Sequence, residues 1–118
     1  MTLQHVSLEV RRAAVPEELR FWALLGFAPV EAPGTLRERS AWVQRGATQI
    51  HLLFDEEPVV PPSGHTAVVA DDYEATMAAL GDAGHPPEER SRHWDAPRAY
   101  VRSPEGHLVE VMGAPPPS

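Results

Sequence analysis

The chain has 118 residues, a length that suits one small domain with a single core. Ten arginines stand against 17 carboxylates for a net charge of −7, which argues against nucleic acid and anionic membrane as main partners. With neither cysteine nor lysine, disulfides, thiolate ligands, a cysteine nucleophile, Schiff-base chemistry and a P-loop lysine are all excluded, leaving histidine and carboxylate as the reactive groups.

Leu3–Val10 alternates, with Leu3, His5, Ser7 and Glu9 on one face and Val6, Leu8 and Val10 on the other. Period two with one apolar face predicts a half-buried strand. The polar residues of this segment also keep it from being the core of a signal peptide. No apolar run approaches the ~20 residues that span a bilayer, so the expectation is a soluble cytoplasmic protein without membrane partners. Pro16 suits a first helical position, with Glu17 and Glu18 in the first turn. Leu19, Trp22 and Ala23 are expected on the buried helical face, with Leu25 close by, and Gly26 as terminator. Phe27–Glu31 reads as extended, Pro33-Gly34 as a loop, and Arg39–Arg45 with Thr48–Phe54 as a strand pair around Gly46.

Residues 55–64 hold Pro58, Pro61, Pro62 and Ser63, a composition that breaks regular structure and reads as a linker. The plan then starts again. His65–Ala70 is a predicted strand, Asp71 or Asp72 a cap, and the helix runs to about Ala83 with Tyr73, Met77 and Leu80 as its stripe. Gly84 ends that helix. Short strands are expected at Glu88–Arg92, Arg98–Arg102 and His107–Met112, with a turn at Ser103–Gly106 and a frayed tail over 114–118.

The two halves superpose in sequence. His5 matches His65 at an offset of 60, Gly26 matches Gly84 at 58, Trp42 matches Tyr100 at 58, and His51 matches Glu110 at 59. The expected fold is therefore α+β, a βαβββ module used twice, over 1–54 and 65–113. Four polar residues stand on otherwise apolar strands at matched places: His5, His51, His65 and Glu110. Pseudo-twofold halves bring such positions towards one point. Three imidazoles and one carboxylate suit a divalent transition metal, with zinc, nickel, cobalt, manganese and iron all compatible. The competing reading is a metal-free pocket in which the same residues serve as hydrogen-bond partners. Arg98, Tyr100 and Arg102 share a strand face, from which Arg98 and Tyr100 can hold a polar or anionic substrate. Trp42, the repeat mate of Tyr100, reads as an aromatic wall. Arg92, His93 and Trp94 form a candidate lid, and His85 and His107 read as structural.

The segments His5–Val10, Phe21-Trp22-Ala23-Leu24-Leu25-Gly26-Phe27 and Arg98–Val111 resemble the vicinal oxygen chelate superfamily. That superfamily includes glyoxalase I, bleomycin-resistance proteins, fosfomycin-resistance thiol transferases and extradiol dioxygenases. The resemblance covers nearly the whole chain and implies the glyoxalase/bleomycin-resistance/dioxygenase fold, in which the two βαβββ modules form curled mixed sheets around a cavity. It implies metal ligands at His5, His51, His65 and Glu110, and a small-molecule substrate whose neighbouring oxygens meet the metal. Glyoxalase I normally has a carboxylate at the position of His51, so the proton acceptor here is expected to be Glu110 or His51. Ser7 and Tyr100 match substrate-facing positions of the fosfomycin enzymes. The expected function is a metal-dependent glyoxalase-like lyase or isomerase, working as a homodimer. The alternatives are a metal-free drug- or metabolite-binding protein and a dioxygenase or thiol transferase of the same superfamily.

Overall fold

The computed structural model describes residues 1–118. The chain divides into two compact units, Met1–Val60 and Pro61–Ser118. No helix is long and apolar enough to cross a membrane.

The first unit contains β1 (His5–Val10), α1 (Val15–Leu24), β2 (Ala28–Val30), β3 (Ser40–Arg45) and β4 (Thr48–Phe54). Its sheet has the order β1-β4-β3-β2, with β1 parallel to β4 and the other pairs antiparallel. A parallel pair needs a crossover, and α1 lies in that connection. Pleating sorts the side chains. Val10, Val43, Ile50 and Leu52 are buried together with Phe21 and Trp22 of α1. His5, Ser7, His51 and Trp42 fall on the other face, where Ser7 and Trp42 both lie opposite His51 in register.

The second unit repeats this plan with β5 (Thr66–Val69), α2 (Tyr73–Asp82), β6 (Glu88–Arg90), β7 (Arg98–Arg102) and β8 (Leu108–Met112). The order is β5-β8-β7-β6, again with a parallel pair beside two antiparallel ones. Ala99, Val101, Val109 and Val111 are buried, as is Leu80 of α2. Arg98, Tyr100, Leu108 and Glu110 project from the opposite face, with Tyr100 opposite Glu110. The α+β class and the doubled βαβββ plan are thus both present.

Each helix ends in the same way. Gly26 (φ 88°) and Gly84 (φ 87°) adopt the left-handed conformation that glycine reaches without a Cβ clash. The amides of Phe27 and His85, one residue further on, return to the carbonyls of Trp22 and Leu80 at 3.0 and 2.8 Å. In the first unit the Phe27 ring also packs edge-on against Trp22, with centroids 5.7 Å apart. At the other end of α2, Asp72 is the cap, its carboxylate accepting the Ala75 amide at 3.1 Å.

Three expectations shift. The buried face of α1 is Glu18, Phe21, Trp22 and then Leu25, while Ala23 is exposed and Leu19 half-buried. Glu18 leaves the surface because the Trp22 indole Nε1–H, one turn on, donates to its carboxylate at 3.2 Å. His65 precedes β5 instead of opening it, because the parallel register with β8 starts at Thr66. The short strand after α2 stops at Arg90, two residues before the expected Arg92.

Candidate functional site

The first unit presents a column of three rings. His51 lies flat against Trp42, with centroids 3.7 Å apart and planes inclined by 3°, and against His5 at 3.9 Å and 15°. Register accounts for part of this, since Trp42 is directly across from His51. A ladder of glutamines holds the ring edges. His5 Nδ1–H donates to Gln4 Oε1 at 2.6 Å, and His51 Nε2–H donates to Gln49 Oε1 at 2.9 Å. Gln49 Oε1 also accepts from Gln4 Nε2 at 3.0 Å, and Gln49 Nε2 donates to Gln44 at 2.7 Å. His51 is 7% exposed, and burial first, with the neighbouring His5 second, moves its pKa below 6.5.

That shift carries a sign. A histidine whose folded pKa lies below its unfolded value takes up more protons in the unfolded chain. Its contribution to stability is complete above pH 6.5 and falls as the pH drops through the folded pKa. His51→Phe keeps a flat ring in the column and removes the titration. Between pH 7.5 and pH 5.5 the wild type should lose more stability in urea unfolding than this variant. Equal losses refute the assignment.

The second unit presents a charged cluster. His65 Nδ1–H donates to the Ser63 carbonyl at 2.9 Å, which turns Nε2 towards Glu110 Oε1 at 3.2 Å. The other oxygen of Glu110 accepts from Arg98 Nη1 at 3.2 Å. Arg98 is well enclosed, its side chain 8% exposed against 12% for Glu110. Its Nε donates to the Ser91 carbonyl at 2.8 Å, and Nη2 donates to His93 Nε2 at 2.9 Å. A guanidinium only donates, so the His93 ring carries its proton on Nδ1. Hydrogen bonding with Tyr100 and with Glu110 raises the Arg98 pKa above its ordinary value, so this charge is permanent.

Arg98 and Tyr100 share a strand face, as their spacing predicts, and Arg98 Cζ lies 5.5 Å from the Tyr100 ring centre. The Tyr100 and His65 rings lie 5.7 Å apart. His93 belongs to this cluster through Arg98. Trp94 is tied to the tail, its Nε1–H donating to the Ala114 carbonyl at 2.9 Å. His107 is buried, and its amide donates to Ser103 Oγ at 3.1 Å. Ser7 is exposed on β1.

The four expected ligands thus form two pairs, one in each unit, and no group of three or more histidine or acidic side chains gathers to hold a metal ion. Donor chemistry separates the four. His65 Nε2 and Glu110 Oε1 are two lone-pair atoms 3.2 Å apart, an approach that calls for a cation between them, a proton or a metal. With metal bonds of about 2.0–2.2 Å, adjacent ligand atoms stand about 3 Å apart, so this pair fits. The Nδ1–H bonds of His65 and His5 leave Nε2 as the basic nitrogen on each ring, the arrangement that orients metal-bound imidazoles. His51 does not fit as placed. Its Nε2 is committed to Gln49, and a ring stacked nearly parallel to His5 cannot aim its in-plane lone pair at the same ion.

The comparisons agree with the topology. A glyoxalase-like domain family model matches residues 7–112. No curated protein matches the sequence. Among solved structures, a glyoxalase family protein from Bacillus anthracis is similar at 21% identity and a TM-score of 0.85, covering 95% of this chain and 93% of that one. The oxidase ChaP-H2 is similar at 18% identity and a TM-score of 0.78, covering 100% and 97%. A glyoxalase/dioxygenase from Nostoc punctiforme follows at 17% identity and 0.73, covering 98% and 92%. At such identities the solved structures establish the fold alone, whereas the family model spans almost the entire chain: the chain belongs to the glyoxalase-like domain family, within the vicinal oxygen chelate superfamily.

Proposed function

We propose that the chain is a metal-dependent enzyme of the glyoxalase type, acting on a small oxygen-rich substrate. The observation behind this reading is the 3.2 Å approach of His65 Nε2 to Glu110 Oε1, with the imidazole oriented from behind by the Ser63 carbonyl. His65 and Glu110 of the second unit would hold a divalent ion, while His5 and His51 remain a stacked pair in the first unit. The ion, when bound, supplies Lewis acidity to substrate oxygens.

The chain's own residues divide the remaining tasks. Arg98 holds Glu110 Oε2, which keeps Oε1 facing His65 Nε2; released from the ion, Oε1 would be the atom that accepts a proton. Tyr100, beside both His65 and Arg98, supplies a phenol and a ring edge to an incoming substrate. Trp42 offers a flat wall in the first unit. Two copies working together as a homodimer, in solution and without nucleic acid, belong to the same reading.

Protein purified without chelator, and reconstituted with zinc, nickel, cobalt, manganese or iron, should carry metal by elemental analysis. His65→Ala and Glu110→Ala should each lower occupancy by about 10-fold or more at limiting metal. His51→Ala should leave most of it. Wild-type protein that takes up none of these ions sinks the reading.

A second reading has its own support. Arg98 already places a permanent positive charge on Glu110, and the Trp42–His51–His5 column offers a stacked surface without any ion. Both suit a protein that sequesters a drug or metabolite. Ligand-dependent thermal stabilisation in metal-stripped protein, undiminished in His65→Ala, would favour it.

A further inference from the structure

The second unit also contains a cavity of about 610 Å³, lined by Arg90, Tyr100, Arg102, Pro86, Val101 and Leu108 among others. That size lies within the usual range for small-ligand sites, about 300–1,000 Å³. All of its lining residues come from Pro61–Ser118. His65, Arg98 and Glu110 are not among them, and the cavity meets the cluster described above only at Ser63 and Tyr100.

Charge makes this cavity unusual for its surroundings. The second unit has four arginines against nine carboxylates. Three of the four arginines nevertheless lie around one tyrosine. Arg90 Cζ is 5.0 Å from the Tyr100 ring centre and Arg98 Cζ is 5.5 Å away, while Arg102 follows Tyr100 by two residues on the same strand face. Arg90 and Arg102 line the cavity together with one carboxylate, Glu88, and all three are exposed. Arg102 uses Nη1 to hold the Gly106 carbonyl at 2.9 Å, which fixes the guanidinium while its remaining N–H groups stay on offer. Arg90 pairs with Glu88 at 2.8 Å, a contact an incoming carboxylate can compete for. Pro86, Val101 and Leu108 add an apolar wall.

We propose that this cavity binds an organic anion, a compact apolar body bearing a carboxylate that Arg90 and Arg102 receive. Guanidinium matches carboxylate in planar, two-pronged geometry, which makes arginine the selective partner. Glu88 then acts as a selectivity gate, weakening anions that cannot displace it. The site goes beyond the metal reading and needs no metal.

The test uses two probes of nearly equal shape, 1-naphthoate and 1-naphthamide, titrated calorimetrically into the full chain. The wild type should bind the anion about tenfold tighter than the amide, as expected for charge-assisted hydrogen bonds. Arg102→Gln and Arg90→Gln should each erase most of that preference without changing metal content. Glu88→Gln should strengthen it, and Arg20→Gln, the same charge change in the first unit, should leave it intact. Equal affinity for the two probes, no saturable binding of either, or a preference that survives Arg90→Gln/Arg102→Gln would overturn the proposal. Since metal occupancy is read separately, failure here leaves the metal reading standing, and the reverse holds as well.

Discussion

Glu110→Ala should destabilise the second unit by about 2–4 kcal/mol in addition to weakening metal uptake, because it strands a mostly buried guanidinium. Arg98 and Glu110 are 8% and 12% exposed, so neither charge can be rehydrated fully when its partner is lost. Arg98 would keep the Ser91 carbonyl and His93 but lose its only anionic partner among these contacts. The mirror variant, Arg98→Met, should cost a similar amount by leaving the carboxylate facing His65 alone. The informative case is the double variant Arg98→Met/Glu110→Leu. Removing both charges eliminates the buried imbalance, so its cost should be below about 2 kcal/mol, well under the sum of the singles. Urea unfolding of the four proteins at pH 7.5 measures this. Strict additivity would mean that the ion pair has no energetic existence. Because metal binding and stability are recorded separately, the double variant also shows how far the fold depends on this ion pair.

The repeat was the most legible feature of the sequence, for physical reasons. Period-two alternation survives wherever one strand face is buried, as in His5–Val10 and Leu108–Met112. The helix ends were readable at Gly26 and Gly84 because both positions need positive φ. The site was half legible. Spacing placed His5, His51, His65 and Glu110 at matched positions, and pairwise the structure brings His5 to His51 and His65 to Glu110. What alternation does not convey is ring orientation. His51 belongs to an aromatic column because Trp42 faces it across β3 and β4, a cross-strand pairing that the strand registers imply but a list of polar positions does not. The strand pattern puts Arg98 on a substrate-holding face, but its enclosure depends on a diagonal partner two residues from its register mate Met112. His93 was illegible because its partner, Arg98, is reached by the fold of a loop.

Glu18 also departs from its sequence pattern, and it leads to the largest expected stability effect. A glutamate in a first helical turn reads as a surface residue favoured by the helix dipole. Here it is fully buried, with the Trp22 Nε1–H donating to it at 3.2 Å. Trp22 is also the largest fully buried side chain and touches both Phe21 and Phe27 edge-on. Trp22→Ala should therefore cost about 3–5 kcal/mol, a large share of the roughly 5–15 kcal/mol that holds a domain of this size. Trp22→Phe separates packing from polarity. It keeps an aromatic ring against Phe21 and Phe27 but withdraws a donor from a buried carboxylate, for an expected loss of about 2–3 kcal/mol. Glu18→Leu in the Trp22→Phe background should recover about 1–2 kcal/mol, because no carboxylate then remains to be desolvated. The same Glu18→Leu change in the wild type should recover nothing, since it takes the acceptor from the indole. If Glu18→Leu has the same effect in both backgrounds, the Trp22–Glu18 hydrogen bond does not couple them, and the burial of Glu18 rests on its other contacts.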